Sequence, residues 1–193
     1  YSLAARLMLG KSVGDRPQKF FLGGNSQMMI FSDTQTEGRD DSGFYAQRVL
    51  DYDNTSILED VYFSEYVFPL RGARYRERVG ENVAVANFEF RFPFVNYVDV
   101  SFPARIRFGN IFGHLFVDVG AAWDSSDEFN NSELVRNKYG LTDPEASPIL
   151  TTFGIGTKIF TPFALIRIDT AWDKYPSGGY SKPQYIISFG YDW

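Results

Sequence analysis

The chain has 193 residues and a formal net charge of −5, and 18% of its residues are aromatic. No block of basic residues offsets the negative charge, so nucleic acid is not expected to be the main partner. The absence of cysteine excludes a disulfide framework and thiolate catalysis. A single histidine, His114, leaves little room for a histidine-based metal site or a catalytic triad.

Six segments alternate between apolar and polar residues with a period of two, which is the pattern of a half-buried β-strand. Each is roughly 9 to 11 residues long, enough to cross a bilayer as a tilted strand. No run of about 18 apolar residues occurs, so no transmembrane helix is predicted. The predicted strands are residues 1–11, 83–92, 114–124, 149–160, 163–172 and 184–193.

The two faces of these strands differ in composition. One face is apolar and rich in aromatic residues, whereas the other carries charged side chains near the middle of the strands. Aromatic residues favour strands, and they also collect where membrane barrels meet the water–lipid boundary. The charged residues on the polar faces are Arg6, Glu89, Arg91, Asp118, Lys158, Arg167 and Asp169.

This pattern predicts an all-β fold, an antiparallel transmembrane β-barrel. A soluble β-sandwich remains the alternative, because it also buries one face of each alternating strand. Six strands cannot close a membrane barrel, and an open sheet edge is costly in lipid. We therefore expect residues 1–193 to be the C-terminal portion of a larger barrel.

The connections between the predicted strands differ in length. Residues 124–148 are long and polar, and residues 32–80 form the longest connection. An irregular stretch of about 50 residues counts against a compact soluble domain but suits a loop that folds partly into a barrel lumen. The alternation is under way at Tyr1 and no signal peptide precedes it, which predicts that the chain continues a longer precursor.

Six short sequences occur in the order expected of one known family. They are FFLGG (20–24), PLRGARY (69–75), GENVAVANFEFRFPF (80–94), HLFVDVGAAWD (114–124), TPFALIRID (161–169) and YIISFGYDW (185–193). On these motifs the chain resembles the C-terminal part of the barrel in the BamA family of outer-membrane insertases and transporters, also called the bacterial surface antigen family. The resemblance implies a 16-stranded barrel to which this chain supplies the last six strands.

The resemblance implies a particular role for Arg71 and Gly72. The family's Arg-Gly signature lies in a long loop inside the barrel, where its arginine pairs with acids on the wall. The matching acids are Glu89 and Asp118, which the alternation places independently on the polar faces of successive strands. Arg71 would then lock the loop of residues 32–80 in the lumen; in the alternative, Arg71 is a solvated loop residue.

The signature departs from the family pattern at two positions. Ala73 stands where the family has an aromatic residue, and Leu70 stands where it has a β-branched one. Tyr75 is the candidate to replace the missing aromatic side chain.

The last predicted strand carries a second set of candidate residues. The resemblance implies that an aromatic-ended final strand acts as an assembly signal and as one lip of a lateral seam. Physically, such a strand offers an unpaired edge and a row of apolar side chains. In the bland interpretation these side chains simply face lipid. They are Tyr185, Ile187, Phe189, Tyr191 and Trp193.

The function implied by the resemblance is non-enzymatic, with no cofactor and no metal. The barrel would insert or translocate proteins in the bacterial outer membrane. Its partners would be outer-membrane lipid and lipopolysaccharide, client or passenger proteins, and accessory periplasmic or lipoprotein subunits. A pore or scaffold for one fused or partner passenger is the first alternative, and a soluble β-sandwich binding module is the second. The acidic stretch with Asp124, Asp127 and Glu128 is expected to be a solvated loop rather than a divalent-cation site.

Overall fold

The computed structural model describes residues 1–15, 17–24, 28–32, 67–73, 77–96, 98–100, 106–108, 111–139, 147–161, 164–176 and 178–190. These residues form twelve strands and two short helices. In chain order they are β1 (Ser2–Lys11), β2 (Phe20–Leu22), β3 (Met28–Ser32), β4 (Val67–Phe68), β5 (Arg78–Gly80), β6 (Asn82–Val95), β7 (Val98–Val100), β8 (Ile106–Phe108), β9 (Ile111–Trp123), α1 (Ser126–Asn130), α2 (Ser132–Tyr139), β10 (Ile149–Phe160), β11 (Leu165–Lys174) and β12 (Gln184–Gly190).

One antiparallel sheet of seven strands contains all six predicted strands, in the order β1-β6-β9-β10-β11-β12-β3. The all-β antiparallel prediction is therefore confirmed. Among the described residues the sheet ends on β1 and β3, so the closure and strand number of the barrel stay predictions. None of the helices in the described part of the chain is long and apolar enough to cross a membrane.

Three elements of the sheet and its connections differ from the sequence interpretation. The strand β3 lies in an apolar run without alternation, so the period-two pattern did not identify it. The connection at residues 96–110 contains the β7–β8 hairpin. The polar connection at residues 124–148 contains α1 and α2, and the side chain of Ser125 caps α1 by accepting a hydrogen bond from the backbone N of Glu128. The last predicted strand is described only to Gly190, and residues 191–193 lie outside the described residues.

The sheet buries its charged face and exposes its apolar face. On β6, Glu89 is 1% exposed whereas its neighbour Phe88 is 54% exposed, and on β1 Leu3 is 84% exposed. A soluble sandwich has the opposite arrangement, because its two apolar faces pack together. The buried charged side chains of the sheet are Glu89, Asp118, Lys158, Arg167 and Asp169, and the exposed apolar ones include Leu3, Leu7, Phe88, Phe90, Leu115, Val117, Ile155, Ile168 and Tyr185.

A second sheet, in the order β4-β2-β5, packs against one end of the first. At that end the buried side chains of the large sheet become apolar, and Val83 and Val85 continue the face that carries Glu89. Leu22 of β2 and Leu70, which forms a bridge with Gly24, pack there. The resulting apolar cluster consists of Leu22, Leu70, Ala73, Val83, Val85, Ala122 and Leu150.

We expect Leu70→Ala to lower the free energy of unfolding by about 2–5 kcal/mol, since it removes a fully buried side chain and leaves a cavity. Leu134→Ala is the matched control, because Leu134 on α2 is exposed. Urea unfolding of the folded protein in lipid vesicles would measure both changes. An equal loss for the two variants would show that Leu70 is not packed in the apolar cluster.

Candidate functional site

Arg71 projects from a tight turn, the Arg71 turn (residues 70–73), that lies against the buried face of the large sheet. The backbone N of Leu70 donates to the carbonyl of Gly24 at 2.9 Å, and the backbone N of Ala73 donates to the carbonyl of Leu70 at 3.3 Å. Gly72 has a φ of 81°, in the left-handed region that favours glycine. A Cβ at this position would lie 2.7 Å from Cβ of Ala171, so any side chain would also push the turn off the sheet.

The guanidinium of Arg71 binds two carboxylates on neighbouring strands. Its Nε donates to Oδ2 of Asp118 at 2.7 Å and its Nη2 to Oδ1 at 2.8 Å, while Nη1 donates to Oε2 of Glu89 at 2.8 Å. The backbone N of Arg71 also donates to Asp118, at 3.3 Å. The planar fork of arginine suits this geometry, because one side chain can satisfy both acids at once. The structure thus brings together the four residues that the sequence singled out: Arg71, Gly72, Glu89 and Asp118.

An aromatic ring from the sheet covers the face of the guanidinium. Cζ of Arg71 lies 3.8 Å from the ring centroid of Phe116 on β9, within the range of a cation–π contact. The ring needs room on the neighbouring strand, since a Cβ at Gly154 would lie 2.4 Å from its Cζ. The strand alternation placed Phe116 on the polar face, but sequence reasoning did not identify it as part of the site.

Glu89 binds two further cations that sequence reasoning also did not connect with it. Lys158 Nζ on β10 and Arg91 Nε on β6 both donate to Oε1 of Glu89, the latter at 2.6 Å. Lys158 is 1% exposed, so its charge is removed from water together with that of Glu89. The alternation put all three residues on the polar face, but only the register of the strands fixes which charges meet.

The two signature departures have different outcomes. Ala73 is buried in the apolar cluster, where its small side chain packs with Leu22 and Leu70. Tyr75, the proposed replacement for the aromatic residue, lies outside the described residues. Most of residues 32–80 lies outside them as well, so the long loop and its position stay predictions.

A second polar contact lies beside the Arg71 site. Nε2 of His114 on β9 lies 2.8 Å from Oδ1 of Asp169 on β11, and Oδ2 of Asp169 lies 3.3 Å from Nε of Arg167. The register places Gly156 of β10 between His114 and Asp169, and a Cβ there would lie 2.1 Å from Oδ1 of Asp169. Among the described residues, no group of three or more such side chains could hold a metal ion.

The helices that follow β9, here called the helical cover (residues 125–139), are fastened to the strand that follows the Arg71 turn. Nζ of Lys138 donates to the carbonyl of Val79 at 3.0 Å and to carboxylate oxygens of Asp124 and Glu128 at 2.9 and 2.6 Å. The hydroxyl of Tyr139 accepts from the backbone N of Val79 at 3.0 Å and donates to its carbonyl at 2.8 Å. Two of the three acids expected to form a solvated loop, Asp124 and Glu128, therefore bind a lysine instead.

Electrostatics in this cover depend on the same contacts. Burial alone would raise the pKa of Asp124, but ion pairs with Lys138 and Lys19 lower the pKa below its ordinary value of 3.8. Burial alone would lower the pKa of Lys138, but Tyr139 and the two carboxylates raise it above 10.5. Both groups therefore stay charged across the physiological range.

The terminal strand presents one exposed and two half-buried members of the predicted row. Tyr185 is exposed, Ile187 and Phe189 are half-buried, and Tyr191 and Trp193 lie outside the described residues. Along its outer edge β12 pairs with β3 in an antiparallel register that shifts between Ile187 and Ser188. The assembly and seam roles of this strand stay predictions.

Comparison with known protein families matches the Omp85 superfamily domain over residues 8–192 of the chain. No curated protein matches the chain, and no solved structure matches it. The match spans the Arg71 turn, both of its carboxylates and the described part of the terminal strand.

We expect Asp118→Asn to destabilise the folded protein by about 3 kcal/mol, the low end of the cost of breaking a buried pair, because Arg71 keeps its contact with Glu89. Asp127→Asn on the exposed surface of α1 is the matched control. Urea unfolding in vesicles measures the difference. If both substitutions leave the midpoint unchanged, Arg71 does not depend on Asp118.

The helical cover should loosen in acid. Because the pKa of Asp124 is lowered, its ion pairs stabilise fully above pH 3.8 and lose that stabilisation as the pH falls below this value towards the folded pKa. Because the pKa of Lys138 is raised, its contribution is full below pH 10.5 and is lost above it. The rate of proteolysis within residues 125–139 measures this loss. Lys138→Met should make cleavage fast even at neutral pH, and a variant as resistant as the parent would contradict the assignment.

Proposed function

Because the chain belongs to the Omp85 superfamily, we propose that it forms part of a β-barrel in the bacterial outer membrane that inserts proteins into that membrane or moves them across it. The described residues account for one side of such a barrel. The proposed work of the protein is non-enzymatic, and client folding supplies its driving force.

The inverted burial of the large sheet is the observation that carries this proposal. A face of exposed leucine, phenylalanine and isoleucine side chains suits lipid, which does not penalise apolar surface. The opposite face buries five charged side chains, which suits a barrel interior that satisfies its polar groups within the protein. A soluble β-sandwich would expose the charges and bury the apolar side chains instead.

We propose that the Arg71 turn fastens the long loop of residues 32–80 inside this barrel. Its support is the contact of Arg71 with Asp118 and Glu89, in which three charged side chains are removed from water together. A buried arginine with two acids is not the arrangement of a solvated loop residue, because desolvation is costly unless the charges are paired.

We further propose that the terminal strand serves as one lip of a lateral seam, in the manner of the BamA family. Its support is the edge of β12, where the backbone pairs with the short antiparallel strand β3. An edge that accepts one extended segment has the hydrogen-bonding groups to accept another. The proposed partners are a client strand at this edge, lipid and lipopolysaccharide on the apolar face, and accessory periplasmic or lipoprotein subunits.

Reconstitution tests the proposed function. The full-length protein in vesicles of outer-membrane lipid should speed the folding of a small client barrel severalfold over empty vesicles, measured by the heat-dependent gel mobility of the client. Arg71→Ala should reduce this acceleration, because a loop released from the wall obstructs the interior, whereas Lys182→Ala on the exposed surface should not.

Two outcomes would change the conclusion. Client folding at the same rate with and without the protein would contradict insertion. Export of one dedicated passenger without any effect on client barrels would support the alternative, a translocation pore or scaffold for that passenger.

A further inference from the structure

The two carboxylates that hold Arg71 differ in their other contacts, and the inference drawn from this difference rests on the docking of the Arg71 turn proposed above. The side chains of Glu89 and Asp118 are both fully buried. A buried carboxylate that loses its only cation is strongly destabilised, because water cannot take the place of the lost charge. The cations that remain after Arg71 leaves therefore decide which carboxylate opposes release of the turn.

Asp118 depends on Arg71 alone for close contacts with a cation. Both of its oxygens accept from the guanidinium, and Oδ2 also accepts from the backbone N of Arg71. Within the described part of the chain, no other cationic nitrogen lies within hydrogen-bond distance of this carboxylate. Arg6 acts on Asp118 only over a longer range, and its own Nε donates to Asn87 at 3.2 Å. Withdrawal of the turn would thus leave Asp118 buried without a direct partner.

Glu89 keeps two cations when the turn leaves. Arg71 occupies Oε2, whereas Lys158 and Arg91 both occupy Oε1. Lys158 and Arg91 belong to β10 and β6 of the large sheet, so their contacts do not depend on the position of the turn. The charge of Glu89 remains compensated by the sheet itself.

Lys158 reaches Glu89 across an intervening strand. In the sheet β9 separates β6 from β10, and the register pairs Glu89 with Phe116 but Lys158 with Phe112, four residues away along β9. The long side chain therefore spans the sheet diagonally. Because Lys158 and Glu89 are both buried, each reduces the cost of burying the other.

We propose that Lys158 is a positioning residue for the Arg71 contact. It holds the Glu89 carboxylate on the sheet wall in both the docked and the released state, and it leaves Asp118 as the group that opposes release. The turn is then fastened strongly at one carboxylate and only weakly at the other, so a single contact controls its release.

Double-mutant cycles on the full-length protein in lipid vesicles test this assignment, with urea unfolding as the measurement. The cycles combine Arg71→Met with Asp118→Asn and with Glu89→Gln. We expect Arg71 to couple to Asp118 about tenfold more strongly than to Glu89 in the unfolding equilibrium constant, within the range found for residues in contact. In a Lys158→Met background the coupling of Arg71 to Glu89 should rise severalfold, since Glu89 then has one cation fewer.

The controls separate positioning from a general loss of stability. Lys158→Arg should restore the parent coupling, and Lys174→Met at the exposed end of β11 should leave it unchanged. A Lys158 that only stabilised the sheet would lower the midpoint of every variant equally and leave the coupling unaltered. If Lys158→Met does not fold, Arg91→Met provides the same comparison, because Arg91 binds the same oxygen and is partly exposed.

Equal coupling of Arg71 to the two carboxylates would overturn the inference, as would an Arg71–Glu89 coupling that Lys158→Met and Arg91→Met both leave unchanged. In either case the docked turn would stand. An Arg71 that couples to neither carboxylate would contradict the docking itself, and so the proposed role of the turn.

Discussion

The pairing of Arg71 with Asp118 and Glu89 is the interaction on which the arrangement of the site depends. Three charges lie out of water, so each must satisfy the others through close, well-directed hydrogen bonds. This requirement fixes the position of the turn more narrowly than apolar packing would. Displacement of the turn that breaks these hydrogen bonds exposes the full cost of a buried, unpaired charge.

Several glycines follow from that requirement. Gly72 lets the turn approach Ala171 of β11, and Gly154 leaves space for the Phe116 ring that covers the guanidinium. At the neighbouring position along β10, Gly156 lets His114 and Asp169 meet across the strand. The buried face of the sheet is therefore a mosaic of long charged side chains and residues with no side chain at all. The mosaic allows charges on non-adjacent strands to reach one another.

The apolar cluster and the helical cover hold the turn from its other side. Leu70 and Ala73 pack with Leu22 of β2, while β5, which follows the turn in the chain, is bonded to α2 through Lys138 and Tyr139. Apolar burial gives the turn its affinity for that end of the sheet, and the ion pairs give it a single orientation. A function that requires the long loop to move would thus act on two kinds of contact with different responses to pH and salt.

The sequence predicted the strands well because an alternating strand shows its two faces directly. It placed Glu89 and Asp118 on the polar faces of successive strands, but their register could not be read from one strand alone. In the sheet Glu89 lies opposite Phe116, and Asp118 lies opposite Asn87. The contact of Lys158 with Glu89 was invisible for the same reason, since two strands of register separate them.

The helices of the cover were missed for a different reason. Short helices are marginal by themselves and form here through tertiary contacts, with Val135 and Tyr139 packed on Phe21 and Val79. The capping residue Ser125 and the acids of the first turn were readable signals of a helix start. They were outweighed by the polar composition of the segment, which is typical of a loop.

Hydrogen exchange of the backbone amides in residues 70–73 tests the central claim most directly. In the full-length protein folded in lipid, the amides of Leu70, Arg71 and Ala73 all donate hydrogen bonds, so the peptide that contains them should exchange slowly. The account predicts slow exchange in the parent and much faster exchange in Arg71→Ala, with unchanged protection in the strands β9 and β10. Rapid exchange of this peptide in the parent would contradict the account, because a turn bound to the wall of the sheet cannot exchange like a solvated loop.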